Sequence, residues 1–134
     1  DMPKRLRAAH LLICRSGAST VAENTVAGRP ALLVPYPSAI DDHQTANARA
    51  IEAAGGALVL PQADLTPADL AELLSDLLDD TDRLSAMTAA ARAYGRPNAV
   101  EDLAALVLST AGLVETAATG AAATQAPATR SAAA

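Results

Sequence analysis

The sequence predicts an α/β fold in which a partial parallel sheet has helices on its faces. Short apolar runs alternate with stretches of helical spacing, and this alternation is typical of doubly wound parallel sheets. The length of 134 residues suits one domain and not several. Hydrophobic residues make up 51% of the chain, but only two residues are aromatic. We therefore expect a core of small aliphatic side chains that buries little apolar surface per residue, as in part of a larger fold.

The first half of the chain predicts three strands and two helices. The first two strands are apolar runs of four residues bounded by turn residues, which suit strands buried on both faces. Gly28 ends the first helix and Gly55 the second, as expected for helix stops. The predicted elements are Leu11–Cys14, Ser19–Ala27, Ala31–Val34, His43–Ala54 and Ala57–Leu60.

The second half predicts helices only. Thr66 is a helix N-cap with Pro67 at the first helical position. Five leucines on one face of this helix are expected to pack on the sheet: Leu70, Leu73, Leu74, Leu77 and Leu78. Two further helices are predicted over Thr81–Ala93 and Ala99–Leu108, the last with an apolar stripe of Leu103, Leu106 and Val107. We expect residues 1–112 to form the domain and the low-complexity segment 113–134 to be disordered.

Charge and cysteine content exclude several classes of protein. Ten Lys and Arg against 15 Asp and Glu give a net charge of -5 without a basic cluster, which argues against nucleic-acid binding. Cys14 is the only cysteine, so neither an internal disulfide nor a Cys-rich metal site is expected. No apolar run reaches the roughly 18 residues of a membrane span, and no signal peptide is readable. These features predict a soluble cytoplasmic domain.

The first candidate binding site follows the first strand, because ligands of such sheets bind outside the carboxyl ends of the strands. There the sequence runs from strand to helix through Arg15, Ser16, Gly17, Ala18, Ser19 and Thr20. Gly17 lets a ligand approach the backbone, and the free amides and dipole of the helix start favour a phosphate group. In the alternative interpretation, Ser19 or Thr20 only caps the helix and Gly17 only forms a turn.

Other polar residues are predicted to line the same crevice. Glu23 lies about 6 Å beyond Ser19 along the helix axis, where a carboxylate can accept hydrogen bonds from ribose hydroxyls; alternatively it is a solvated charge. After the second strand come Asp41, Asp42, His43 and Gln44. Either Asp can cap the next helix, and an amide such as that of Gln44 suits sugar hydroxyls because it both donates and accepts. A metal site at the two aspartates is the alternative, although no third ligand has suitable spacing.

Three stretches carry specific motifs in order: Ile13–Glu23, Ala27–Tyr36 and Asp41–Ala48. They resemble the MurG family, the GlcNAc transferases of peptidoglycan synthesis, and the resemblance covers roughly residues 2–108. It implies the C-terminal half of a glycosyltransferase B fold, which is built from Rossmann-like domains. In that family the C-terminal domain binds UDP-GlcNAc, and the N-terminal domain faces the membrane and the lipid I acceptor. We therefore expect residues 1–112 to be a donor-binding domain that is incomplete at its N-terminus.

The resemblance also implies roles for single residues. The start of the first helix would contact the diphosphate and sugar of the donor, and Glu23 the ribose hydroxyls. His43 and Gln44 would contact the GlcNAc hydroxyls, with Arg15 and Ser16 in a supporting role. The predicted UDP-GlcNAc-binding residues are thus Arg15, Ser16, Gly17, Ala18, Ser19, Thr20, Glu23, His43 and Gln44.

The implied reaction is an inverting transfer of GlcNAc to lipid I, which forms lipid II. The 4-hydroxyl of the acceptor attacks and UDP leaves, and backbone amides stabilise the charge that grows on the diphosphate, so no metal or cofactor is expected. The general base would come from the N-terminal domain, and we expect this chain alone to be inactive. The full-length protein is expected at the cytoplasmic face of the bacterial inner membrane.

Three residues depart from the family pattern. Ser38 stands where the family usually has His, Asn24 where it has an apolar residue, and His10 where it has an acidic residue. Asn24 is either tolerated at a helix edge or weakens packing. Two other functions stay open: a nucleotide-sugar-binding module without catalysis, and a related transferase with another acceptor.

Overall fold

The computed structural model describes residues 1–113, in two units, Asp1–Pro97 and Asn98–Ala134, the second described up to Leu113. The predicted disordered tail lies, from residue 114 onward, outside the described residues. The helices and strands are α1 Met2–Ala8, β1 Leu12–Cys14, α2 Ala18–Ala27, β2 Ala31–Leu33, α3 His43–Ala53, β3 Ala57–Val59, α4 Pro67–Asp79, α5 Thr81–Tyr94 and α6 Ala99–Thr110. Among these residues no helix combines the length and apolarity needed to cross a membrane.

The three strands form one parallel sheet in the order β1-β2-β3. Leu12 lies opposite Ala31, which in turn lies opposite Ala57. Each strand is one residue shorter than predicted. The carboxyl ends of all three strands meet at one edge, as the predicted α/β fold class requires.

Helices cover both faces of the sheet in the first unit. On one face, Ala48 and Ile51 of α3 pack with alternate residues of β2 and β3. On the other face, Leu77 of α4 and Met87 of α5 enclose Leu32. Helices thus pack on both faces of the parallel sheet, which confirms the predicted α/β fold class.

The first strand is not buried on both faces, contrary to prediction. It lies at the edge of the sheet, and the Ile13 side chain is 50% exposed. Its register partner Leu32 on the central strand is fully buried on the same face. The α4 and α5 side chains therefore enclose the central strand and leave this edge residue half open.

Two predicted apolar faces are narrower or more exposed than expected. Leu77 is fully buried, whereas its neighbour Leu78 is 54% exposed, so four of the five leucines of α4 face the core. In the second unit, the stripe of α6 is more than half exposed at Leu103, Leu106 and Val107.

The short helix α1 was not predicted. Its polar sequence has little apolar periodicity, and Leu6 is its one partly buried leucine. Local signals were nevertheless present, because the Asp1 carboxylate accepts a hydrogen bond from the Lys4 amide and Pro3 stands in the first turn.

A side-chain carboxylate accepts a hydrogen bond from a backbone amide of β3. Glu52 Oε1 accepts a hydrogen bond of 2.8 Å from the Val59 amide, and its Oε2 accepts one of 2.5 Å from Arg49. Partial burial raises the pKa of Glu52, but these hydrogen bonds and the Arg49 charge outweigh it, so the pKa is lower than usual.

Candidate functional site

The start of α2 is open to a ligand. Gly17 is the N-cap, no side chain caps the helix, and a Cβ placed on Gly17 would have no atom within 4 Å. The first-turn amides of Ala18, Ser19 and Thr20 have no partner within the helix. The alternative that Ser19 or Thr20 caps the helix is wrong, because both lie inside the first turn. A turn does not require Gly17 either, since its φ of -62° suits any residue.

Ser16 joins the loop after β1 to the start of α3. Its side chain is fully buried, and its hydroxyl donates to the Gln44 carbonyl oxygen at 2.8 Å. In return, Asn47 Nδ2 donates to the Ser16 carbonyl oxygen at 3.1 Å. Ser16 therefore holds the two loops together.

His43 and Gln44 are the first residues of α3, and some of their polar side-chain atoms already form hydrogen bonds within the chain. His43 Nδ1 lies 2.6 Å from the Ile40 carbonyl oxygen, which can only accept, so Nδ1 carries the proton and Nε2 of the neutral ring is an acceptor. Gln44 Oε1 accepts from the Tyr36 amide at 3.0 Å. This bond orients the side-chain amide, and its Nε2 group can donate to a ligand.

Arg15 links the loops that follow all three strands. Its Nη1 donates to the carbonyl oxygens of Val34 at 3.2 Å and Pro35 at 3.0 Å, and its Nη2 donates to Gln62 Oε1 at 2.7 Å. The guanidinium carbon also lies 5.6 Å from the centre of the Tyr36 ring, a cation–π distance. Its charge is directed into the loops and not at the helix start.

We call the residues connected by the hydrogen bonds above and by the Arg15–Tyr36 contact the carboxyl-edge cluster. Three of its members, Tyr36, Asn47 and Gln62, had no predicted role. Tyr36 and Asn47 lie within the recognised motifs, so the sequence signal existed, whereas Gln62 has no distinctive neighbours in the sequence. The cluster comprises Arg15, Ser16, Tyr36, Gln44, Asn47 and Gln62.

Glu23 lies on α2 beyond the first turn of that helix. It is exposed and lines a groove of about 610 Å³. No hydrogen bond among the described residues connects Glu23 with His43 or Gln44, so the single crevice predicted from sequence has no direct contact to support it. The groove is lined by Pro3, Leu6, Arg7, Glu23, Val26, Ala27, Arg29 and Arg92.

The loop before α3 is unusual in its backbone. Asp41 and Asp42 have φ values of 51° and 50°, in the left-handed region that few residues other than glycine adopt. Asp42 is the N-cap of α3 but makes no side-chain cap hydrogen bond, so the predicted capping by an aspartate is wrong. Within residues 1–113, no group of three or more His, Cys, Asp or Glu side chains is placed to hold a metal ion.

Asn24 is buried and not at a helix edge. It is 4% exposed, and its Nδ2 donates to Cys14 Sγ at 3.3 Å. Burial raises the pKa of the Cys14 thiol, and the Asn24 hydrogen bond offsets part of that rise. Cys14 packs against the core beside α2.

Comparison with known proteins gives consistent matches over most of the chain. The family model described as glycosyltransferase family 28 C-terminal domain matches residues 1–122. A curated relative from Rhodospirillum rubrum is 59% identical over 111 residues, which are 83% of this chain and 29% of the relative. Its name is UDP-N-acetylglucosamine--N-acetylmuramyl-(pentapeptide) pyrophosphoryl-undecaprenol N-acetylglucosamine transferase. The chain thus spans about three tenths of the length of that relative.

Solved structures match as well. The crystal structure of Acinetobacter baumannii MurG superposes with a TM-score of 0.75 at 40% identity, over 81% of this chain and 31% of that one. The spinosyn forosaminyltransferase SpnP superposes with a TM-score of 0.59 at 26% identity, over 78% of this chain and 28% of that one. The match to MurG confirms the fold class predicted from the sequence.

Proposed function

The chain belongs to the glycosyltransferase family 28 C-terminal domain family, and on that premise we propose that it is the UDP-GlcNAc-binding part of a transferase of the MurG type. The reaction is the inverting transfer of GlcNAc from UDP-GlcNAc to lipid I, which forms lipid II in peptidoglycan synthesis. The acceptor and the membrane surface are bound by parts of such a transferase outside this chain. The protein then works as a peripheral enzyme at the cytoplasmic face of the inner membrane.

The observation that supports this proposal most directly is the uncapped start of α2. Three first-turn amides point away from the helix with open space over Gly17, at the edge where ligands of parallel sheets bind. A diphosphate placed there meets the positive end of the helix dipole. Because negative charge grows on the diphosphate as the glycosidic bond breaks, amides fixed in place stabilise the transition state more than the ground state.

The sugar and nucleoside have their own partners in this proposal. Gln44 Nε2 donates to a GlcNAc hydroxyl, since its Oε1 is held by the Tyr36 amide. His43 Nε2 accepts from another hydroxyl, because Nδ1 faces the Ile40 carbonyl oxygen. Glu23 accepts from the ribose hydroxyls in the groove that it lines together with Arg7, Arg29 and Arg92. We assign all nine residues predicted from sequence to this donor site, with Arg15 and Ser16 behind it.

A second candidate is a transferase of the same fold with a different donor sugar or acceptor. The likeness to SpnP supports it, because a protein named a forosaminyltransferase superposes on 78% of this chain. A binding module without catalysis is the third candidate.

Titration of the chain with UDP-GlcNAc, followed by calorimetry, tests the proposal. We expect binding that Glu23→Ala and Gln44→Ala each weaken about threefold to tenfold, the effect of losing one hydrogen bond. Glu72→Ala, an exposed carboxylate on α4, is the matched control and is expected to bind as the parent does. Tighter binding of another nucleotide sugar would favour the second candidate, and equal affinity of all four proteins would refute the residue assignment.

Transfer itself is tested in a chimera. The Rhodospirillum rubrum relative receives the 111 residues of this chain that match it, in place of its own matching segment. We expect GlcNAc transfer to lipid I, and binding of UDP-GlcNAc without transfer would favour the non-catalytic module.

A further inference from the structure

Arg15 and Gln62 form a hydrogen-bonded pair across 47 positions of sequence. Gln62 follows β3 and its Oε1 accepts from Arg15 Nη2 at 2.7 Å. Gln62 is thereby the contact through which the loop after β3 reaches the loop after β1. Neither the family motifs nor the sequence pattern around Pro61 gave this residue a role.

The other end of the guanidinium fixes the loop after β2. Arg15 Nη1 donates to two successive carbonyl oxygens, those of Val34 and Pro35, while the Tyr36 ring lies beside the cation. One planar group with several donors at fixed angles therefore determines the path of the backbone into Tyr36. Lysine has no such fork and cannot satisfy three separated acceptors at once.

This backbone path determines which atom of Gln44 faces the donor site. The Tyr36 amide donates to Gln44 Oε1 at 3.0 Å, so it fixes the amide group with its oxygen inward. The Gln44 Nε2 group is then presented as a donor. Without the hydrogen bond from the Tyr36 backbone amide, the Gln44 side chain can rotate and present its oxygen instead. The Gln44 side chain would then have to become ordered on ligand binding, which costs affinity.

We propose that Arg15 and Gln62 are positioning residues that hold the loop after β2 so that the Tyr36 amide orients Gln44 for a sugar hydroxyl. The proposal rests on the proposed function for the ligand, but the orientation of Gln44 is a property of the free chain. Arg15 accordingly acts through Tyr36 and Gln44 and does not contact the diphosphate.

Hydrogen exchange of the Tyr36 amide tests the orientation without any ligand. In the 134-residue chain, Arg15→Lys and Gln62→Leu are each expected to accelerate this exchange about threefold to tenfold. Gln62→Glu keeps an acceptor for Arg15 and is expected to exchange as the parent does. The Val59 amide, which donates to Glu52, is the internal control for global loosening of the chain. Arg83→Lys on the exposed face of α5 is the matched arginine control. Unchanged Tyr36 exchange in both disruptive variants would overturn the proposal.

Titration with UDP-GlcNAc tests the consequence for binding. We expect Arg15→Lys and Gln62→Leu to weaken binding about threefold or more. Gln62→Glu, which keeps an acceptor for Arg15, is expected to bind as the parent does. Faster Tyr36 exchange with parent affinity would overturn the role in donor binding. Absence of binding by the parent chain would instead refute the proposed function, and the exchange result would still decide whether the pair orients Gln44.

Discussion

The variant Gly17→Ala tests whether the glycine at position 17 is needed for ligand binding or for the fold. The φ of -62° and ψ of 149° at Gly17 are open to alanine, and a Cβ there meets nothing within 4 Å. Alanine is a poorer N-cap than glycine by up to about 1 kcal/mol. Against this, the smaller freedom of alanine in the unfolded chain stabilises the folded state by about 0.4 to 1 kcal/mol. The two terms oppose each other, so the free energy of unfolding should change by no more than about 1 kcal/mol in either direction.

Binding of the donor should respond very differently. The added methyl group projects into the open space beside Gly17, at the start of α2 where we propose that the diphosphate binds. We expect the Kd for UDP-GlcNAc to rise by at least about tenfold, which corresponds to about 1.4 kcal/mol. Urea unfolding measures the first quantity, and calorimetric titration of the same samples measures the second.

Gly28→Ala is the matched control with the opposite outcome. Gly28 has a φ of +62°, and a Cβ there would overlap the Arg92 side chain. We expect this variant, in contrast to Gly17→Ala, to lose at least about 1 kcal/mol of stability. Parent-like binding by a stable Gly17→Ala protein would refute the placement of the diphosphate at α2.

Two further predictions concern the fold. Leu77→Ala should lower the free energy of unfolding by about 2 to 5 kcal/mol, and Leu78→Ala, at 54% exposure, by less than about 1 kcal/mol; similar losses in urea unfolding would contradict the packing of α4. The pKa of Glu52 is lower in the folded than in the unfolded chain, so its carboxylate stabilises the fold at pH values above the unfolded pKa. This contribution is lost as the pH falls through the folded pKa, and Glu52→Gln should therefore make stability less steep in that acidic range; an unchanged pH profile of urea unfolding would show that the Glu52 hydrogen bonds do not matter.

Local patterns predicted most of the fold because the determining signals lie within a few residues. Gly28 shows this well: the sequence predicted a helix stop, and the structure has a left-handed C-cap there. Burial was harder to predict, because it depends on which helix covers which strand. Nothing in the spacing of Leu77 and Leu78 distinguishes the buried leucine from the exposed one.

The sequence pointed to some residues of the candidate site but not to the hydrogen bonds that connect them. The uncapped glycine at the start of α2 and the His43–Gln44 pair follow from strand ends and motifs. The contact of Arg15 with Gln62 joins residues 47 positions apart and depends on the order of strands in the sheet. Similarly, Asn24 departs from an apolar pattern, and only the position of Cys14 on the adjacent strand shows what its amide binds.

The hydrogen bond from Val59 to Glu52 makes the two edges of the sheet unequal. A strand approaching β3 would have to displace a carboxylate from that amide and leave its charge, already paired with Arg49, without a backbone partner. On the other side, β1 offers the half-exposed Ile13 to a neighbour. We therefore expect an added strand to pair with β1 and not with β3.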